Sequence, residues 1–195
     1  MKKTKSLFIM AVLALVMSLP AVGFSESSVA DGERLGKTCA GCHGTFGNTP
    51  GEYVGKIGGQ NVDYLKKVLN SFSKGERPGS VEMTIVAKGY TEAQLNSIAM
   101  YYAAQKWVNS TNMVNPELVE AGKSVAAENG CMDCHGENGE GMDEYPRLGG
   151  QNKGYLIEVM KRYKAGQIDS DEMGMMPDLS TAEIKVLANY LSSLR

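Results

Sequence analysis

A five-residue motif, Cys-x-x-Cys-His, occurs twice in this chain of 195 residues and constrains its architecture more than any other feature. The first copy occupies residues 39–43, and the second occupies residues 131–135, 92 positions further along. Together the copies contain every cysteine and every histidine of the chain: Cys39, Cys42, His43, Cys131, Cys134 and His135. Nothing is therefore left for a disulfide outside the motifs or for a second histidine site.

The repetition extends beyond the motif, and an internal repeat on this scale indicates a duplicated domain. Residues 58–61, Gly-Gly-Gln-Asn, recur as residues 149–152 at an offset of 91, and the Tyr and apolar positions that follow keep the same offset. Between the copies, the polar stretch from Trp107 to Pro116 is typical of a linker. We predict one domain over residues 26–109 and a second over residues 110–195.

Both halves carry the periodicity of helices. Residues 64, 65, 68, 69 and 72 lie on one helix face, and Asn61 is suited to cap that helix. The last helix of each half begins at a capping-box pattern, residues 91–94 and 180–183, and shorter helices over 32–38 and 116–128 precede the motifs. No segment alternates as a strand does. The sequence predicts an all-α fold of about three helices and long Gly-rich loops in each half.

The motif is the attachment signature of a c-type haem. Two thiols at i and i+3 can form thioethers with the vinyl groups of a porphyrin, and the adjacent histidine can bind the iron as an axial ligand. The alternatives explain less. Zinc pairs usually lie about 15–20 residues apart, a redox Cys pair needs a βαβ context, and a local disulfide leaves both histidines unexplained. The sequence predicts two covalent haem c groups, with His43 and His135 as iron ligands.

The second axial ligand must come from a residue type other than Cys or His, and Met is the natural candidate. In the first half, Met83 is the only Met between the Gln60 helix and the Thr91 helix. In the second half, Met173, Met175 and Met176 share the equivalent stretch. Met173 lies 90 residues after Met83, which fits the repeat, so we favour Met173 over the other two.

The N-terminus has the layout of a secretory signal peptide. Three lysines precede an apolar run from Leu7 to Leu19, which Pro20 ends. The run is too short for an ordinary transmembrane span. We expect a signal peptide over residues 1–25, with cleavage as late as residue 30 as the alternative, and a periplasmic protein without stable membrane insertion.

The charge of the chain excludes some partners and separates the two halves. A net charge of -2 gives no basic face for nucleic acid. Residues 31–109 carry 9 basic and 7 acidic side chains, whereas residues 110–195 carry 8 basic and 14 acidic. Several of these acids flank the second motif: Asp133, Glu137, Glu140, Asp143 and Glu144. The acids form either a solvated face or a docking surface for a basic electron acceptor.

With these motifs, the chain resembles the class I cytochromes c, in particular the two-domain, dihaem cytochrome c4 group. The first half is more similar to the cytochrome subunit of flavocytochrome c sulfide dehydrogenase, through residues 75–78, Met83, residues 87–90, residues 101–105 and Trp107. The resemblance implies two tandem domains, each wrapped around one haem with His/Met ligation. It also implies a proline whose carbonyl accepts a hydrogen bond from the ligand histidine. Pro146 matches that proline in the second half, but the first half has Gly55.

The function that follows is single-electron transfer without bond chemistry by the protein itself. We expect the electron-accepting subunit of a flavoprotein dehydrogenase, with a free shuttle to a downstream cytochrome or terminal oxidase as the alternative. An enzyme in its own right is less favoured, since it needs an open or unusually ligated iron.

Overall fold

The computed structural model describes residues 28–168 and 176–195, and within these ranges its regular structure is helical. The predicted signal peptide, Met173 and Met175 lie outside the described residues. The first half contains five helices: α1 (Val29–Gly36), α2 (Ala40–His43), α3 (Val62–Lys74), α4 (Val81–Lys88) and α5 (Glu92–Ala103). The described part of the second half contains four: α6 (Pro116–Glu128), α7 (Cys131–His135), α8 (Lys153–Lys164) and α9 (Thr181–Ser193). The all-α prediction is confirmed.

Three of the predicted helix starts are confirmed by their caps. Asn61 accepts hydrogen bonds from the backbone N–H groups of Asp63 and Tyr64 at the start of α3. Helices α5 and α9 both begin with a complete capping box, at Thr91 and Ser180. These side chains satisfy N–H groups that the first helical turn leaves without a partner.

Helix α4 is the main element that the sequence analysis did not predict. It is capped by Ser80, whose hydroxyl accepts a hydrogen bond from the N–H of Met83. Its apolar residues are spread around the helix, and Val81 and Ile85 are 71% and 68% exposed. The periodicity that marks an amphipathic helix is therefore weak. Helix α1 also differs slightly, since it begins at Val29 instead of Gly32.

In each half, the first and last helices cross at a glycine. Gly32 of α1 lies against the carbonyl group of Ser97 in α5, and Gly122 of α6 lies against that of Val186 in α9. A β-carbon at either glycine would collide with backbone atoms. The two crossings occupy equivalent places in the repeat.

The two halves have separate buried apolar clusters. In the first half, Leu65, Ile98 and Tyr102 form one cluster, and Phe72 and Leu95 belong to another. The larger buried side chains in the cluster of the second half are those of Leu156, Met160, Leu179, Ile184, Leu187 and Leu191. None of the described helices is both long and apolar enough to cross a membrane.

Candidate haem sites

Each Cys-x-x-Cys-His motif folds into a short helix that ends at a glycine in the left-handed region. Helix α2 ends at Gly44 with a φ of 81°, and α7 ends at Gly136 with a φ of 82°. In each motif the first cysteine is half-buried and the second is exposed, and all four thiols are free. Burial raises the pKa of the Cys39 and Cys131 thiols. The two motifs therefore present their side chains in the same way.

The histidine of each motif is held through one ring nitrogen. Nδ1 of His43 donates a hydrogen bond to the carbonyl oxygen of Gly55 at 2.7 Å, and Nδ1 of His135 donates to that of Pro146 at 2.9 Å. Because a carbonyl can only accept, Nδ1 carries the proton and Nε2 keeps a lone pair. Burial lowers the pKa of both imidazoles. Burial therefore favours the neutral form of both rings, and an Nε2 lone pair of this kind is suited to bind a metal.

A cavity of about 720 Å³ is lined by residues of both motifs and of both halves. Its volume lies within the range of about 300–1,000 Å³ that cofactor sites occupy. In the first half Leu65, Val68 and Ile98 form part of its apolar wall, and in the second half Leu156 and Leu187 do. Free thiols, lone-pair imidazoles and apolar walls fit covalent haem c.

The sulfur ligands predicted for the iron are placed only in part. Met83 lines the cavity and packs beside Phe72 and Leu95. In the second half, Met176 lines the same cavity and packs against the core. The favoured Met173 lies outside the described residues, as does Met175, so the choice among the three stays a prediction.

The glycine at position 55 has a tertiary cause. A β-carbon on Gly55 would lie 2.8 Å from the ring of Tyr155, which belongs to the second half. The backbone carbonyl still accepts from His43, as expected for a glycine in place of the proline. The departure from the family pattern therefore makes room for a side chain of the other half.

The sequence analysis gave no role to a buried guanidinium in the cavity wall. Arg77 is only 3% exposed, and its guanidinium carbon lies 5.7 Å from the Phe72 ring centre and 5.9 Å from that of Tyr163. It lines the cavity with Cys39 and His43. A guanidinium at the wall of a cavity can pair with an anionic group of a ligand. The only signal in the sequence was its place in the Gly-Glu-Arg-Pro segment.

The tyrosines that repeat between the halves serve packing. The Tyr102 hydroxyl donates to the Gly36 carbonyl at 2.8 Å, and the side chain is 1% exposed. Tyr190 packs against the core of the second half, whereas Tyr64 and Tyr155 line the cavity. In the described ranges, no three His, Cys, Asp or Glu side chains converge on a possible metal position.

Comparisons with known proteins agree with this geometry. Residues 119–195 match the cytochrome c family. Cytochrome c4 of Azotobacter vinelandii is 27% identical over 94% of this chain and 98% of the relative. The crystal structure of reduced recombinant cytochrome c4 from Pseudomonas stutzeri superposes with a TM-score of 0.78 at 28% identity, covering 87% of this chain and 100% of that chain.

A shorter match has higher identity. The cytochrome subunit of sulfide dehydrogenase from Chlorobaculum tepidum is 41% identical over 71 residues, which are 36% of this chain and 63% of the relative. The cytochrome c4 matches, in contrast, span nearly the whole chain in sequence and in fold. The chain is therefore a c4-like, two-domain class I cytochrome c, a family of electron-transfer proteins.

Proposed function

We propose that this protein binds one covalent haem c in each half and carries single electrons in the periplasm. The observation that carries the proposal is the duplicated site, in which each motif pairs two free thiols with an imidazole whose Nδ1 is engaged by a carbonyl. When bound, each haem supplies a one-electron ferric/ferrous couple.

In each half, different side chains would attach the haem and bind its iron. Cys39 and Cys42 would attach it in the first half, with His43 and Met83 as axial ligands. The equivalent residues in the second half are Cys131, Cys134, His135 and Met173. The apolar parts of the wall would shield a bound haem from water, which disfavours the more highly charged ferric state and thereby raises the reduction potential. The half-exposed motifs leave an edge near the surface for electron exchange.

The haem count is tested on the intact, exported protein. We expect a mass that exceeds that of the mature polypeptide by two haem groups, which stay attached after denaturation because thioether bonds are covalent. Cys131→Ala/Cys134→Ala should remove one group and leave the other. A wild-type protein with a single attached haem would contradict the proposal.

The donor is proposed to be a flavoprotein dehydrogenase that oxidises a reduced sulfur compound, to which this chain binds as the electron-accepting subunit. The short match to the cytochrome subunit of sulfide dehydrogenase supports this role. The near-full-length match to cytochrome c4 supports the alternative with equal weight, a free shuttle to a downstream cytochrome or terminal oxidase.

Purification from the native host separates the two roles. A dehydrogenase subunit should co-purify with a larger flavin-containing chain through gel filtration at moderate salt. A shuttle should elute alone and be reduced by added donor fractions. Elution alone in every salt condition would exclude the stable subunit role.

A further inference from the structure

Two buried glutamines, one in each half, hydrogen-bond across the interface between the halves. Gln60 donates from Nε2 to the carbonyl of Arg147 at 2.9 Å, and its Oε1 accepts from the N–H of Arg147 at 2.7 Å. Gln151 makes the same pair with Lys56, at 3.0 Å to the carbonyl and 2.8 Å from the N–H. Four hydrogen bonds thus link the halves reciprocally.

The residues that the two glutamines contact also occupy equivalent positions in the repeat. Lys56 and Arg147 are 91 positions apart, which is the offset between Gln60 and Gln151. Each directly follows the residue whose carbonyl accepts from a motif histidine, Gly55 in the first half and Pro146 in the second. The glutamine of one half therefore contacts the histidine-binding loop of the other.

Each glutamine contacts the same peptide group whose carbonyl accepts the hydrogen bond from the histidine. The carbonyl of Gly55 and the N–H of Lys56 belong to one planar unit, whose oxygen faces His43 and whose N–H donates to Gln151. Turning this plane would break both hydrogen bonds. An engaged N–H also polarises its own carbonyl and makes the oxygen a better acceptor.

The glutamine side chains are themselves fixed. Gln60 is 3% exposed and Gln151 is 2% exposed. Each Oε1 also accepts from the next backbone N–H, that of Asn61 at 2.8 Å or Asn152 at 2.9 Å. These asparagines stand at the starts of α3 and α8, so each amide is tied to a rigid helix end.

We propose that Gln60 and Gln151 are reciprocal positioning residues: each one, across the interface, fixes the peptide group that orients the histidine of the other half. Gln151 thereby acts on His43, and Gln60 acts on His135. The hydrogen bond to Nδ1 sets the orientation and basicity of an axial imidazole. The properties of each site thus depend on the presence of the other half. The inference rests on the proposed function.

Because the chain has only two histidines, ¹⁵N-histidine labelling of the ferrous holoprotein yields only two Nδ1–H signals, which contacts to Gly55 and Pro146 assign. The measurement is the exchange rate of each Nδ1 proton with solvent. In Gln151→Ala we expect exchange at His43 to accelerate about tenfold, because a supporting hydrogen bond is lost, while His135 stays unchanged. Gln60→Ala should show the reverse.

The inference requires a crossed pattern, in which each substitution accelerates exchange only at the histidine of the other half. Acceleration at the histidine of the same half, equal acceleration at both, or no change would each overturn the inference. Gln105→Ala is the matched control, since its side chain donates a hydrogen bond within its own half, to the Tyr101 carbonyl at 2.8 Å, and both histidines should keep their wild-type rates.

The test also survives poor folding of the alanine variants. In the wild-type protein, the N–H of Lys56 and Nδ1–H of His43 should open together and show the same protection against exchange, as should Arg147 and His135. Unequal protection within these pairs would overturn the inference. Haem content is measured on the same samples, so absence of a haem from the wild-type protein, which would count against the proposed function, is distinguished from loss of the crossed pattern.

Discussion

Single residues at equivalent positions differ where the two halves meet. Gly55 and Pro146 both present a carbonyl to a motif histidine, and at Gly55 the ring of Tyr155 from the other half occupies the space that a side chain would need. The ring leaves no space for a side chain, and a proline there would carry one. The identity of residue 55 is thus decided by a residue 100 positions away in the sequence.

The first prediction concerns Gly55→Ala. The added methyl group meets the Tyr155 ring, and such overpacking should lower the free energy of unfolding of the holoprotein by about 1–3 kcal/mol. Guanidinium unfolding measures the change. Gly41→Ala is the control, because a β-carbon there meets nothing within 4 Å, and stability should not fall. Gly55→Ala combined with Tyr155→Ala should show less than the sum of the two losses; additivity would refute the contact.

A second residue-level prediction concerns the axial sulfur. Met83→Ala should abolish about half of the Met–iron charge-transfer absorption and lower one of the two potentials, because the thioether stabilises ferrous iron. Spectroelectrochemistry measures both. Met113, which is 88% exposed, supplies the control, and Met113→Ala should change neither. In the second half, Met173→Ala should remove the remaining band; its persistence would move the role to Met175 or Met176.

Among the elements, the paired crossings of first and last helices depend on glycine. The crossings of α1 with α5 and of α6 with α9 bring backbone against backbone at Gly32 and Gly122. In each half, this contact holds the helix that leads into the Cys motif against the last helix, whose side chains contribute to the core. The placement of the motif thus depends on a residue without a side chain.

Gly122→Ala should lower the free energy of unfolding by about 3 kcal/mol or more, since its methyl group meets the Val186 carbonyl, which cannot move without shifting α9. Gly32→Ala should behave alike in the first half. Thermal unfolding followed by circular dichroism measures both. The control on α6 is Ser124→Ala, an exposed position whose hydroxyl bonds back to Glu120, and its effect should stay small. A Gly122→Ala protein of wild-type stability would show that the helices can separate freely.

At the scale of the whole molecule, the difference in charge between the two halves is present on the protein surface. Asp133, Glu137, Asp143 and Glu144 are exposed, and all four lie near the exposed Cys134 in the sequence. The first half carries a slight excess of basic residues. We interpret the acidic surface as the exit toward a basic acceptor and the first half as the side that docks the donor.

Electron transfer to a basic redox protein should accordingly slow as ionic strength rises, because salt screens long-range attraction. Glu137→Lys/Glu144→Lys should reduce the second-order rate constant at low salt about tenfold. Glu117→Lys/Glu120→Lys changes the net charge equally on α6 and should have a smaller effect. Stopped-flow mixing measures these rates. Equal effects from both pairs of substitutions would show that the rate depends on the net charge of the protein and not on the acidic surface.

Much of the fold followed from the sequence because its causes are local. Capping boxes, helix periodicity and the Cys-x-x-Cys-His motif act within a few residues, and the duplication repeats them at one offset. The position of α4 did not follow, because its apolar residues form no stripe and its start depends on one serine hydroxyl.

The sequence by itself determined that this protein is all-helical and duplicated, with every cysteine and histidine committed to two equivalent motifs. Only the tertiary structure decided how the halves depend on each other: Tyr155 over Gly55, and each glutamine on the other half's histidine loop. The physical reason is distance along the chain. These contacts join residues 87 to 100 positions apart, and no local propensity specifies which side chains meet when two folded halves close on one another.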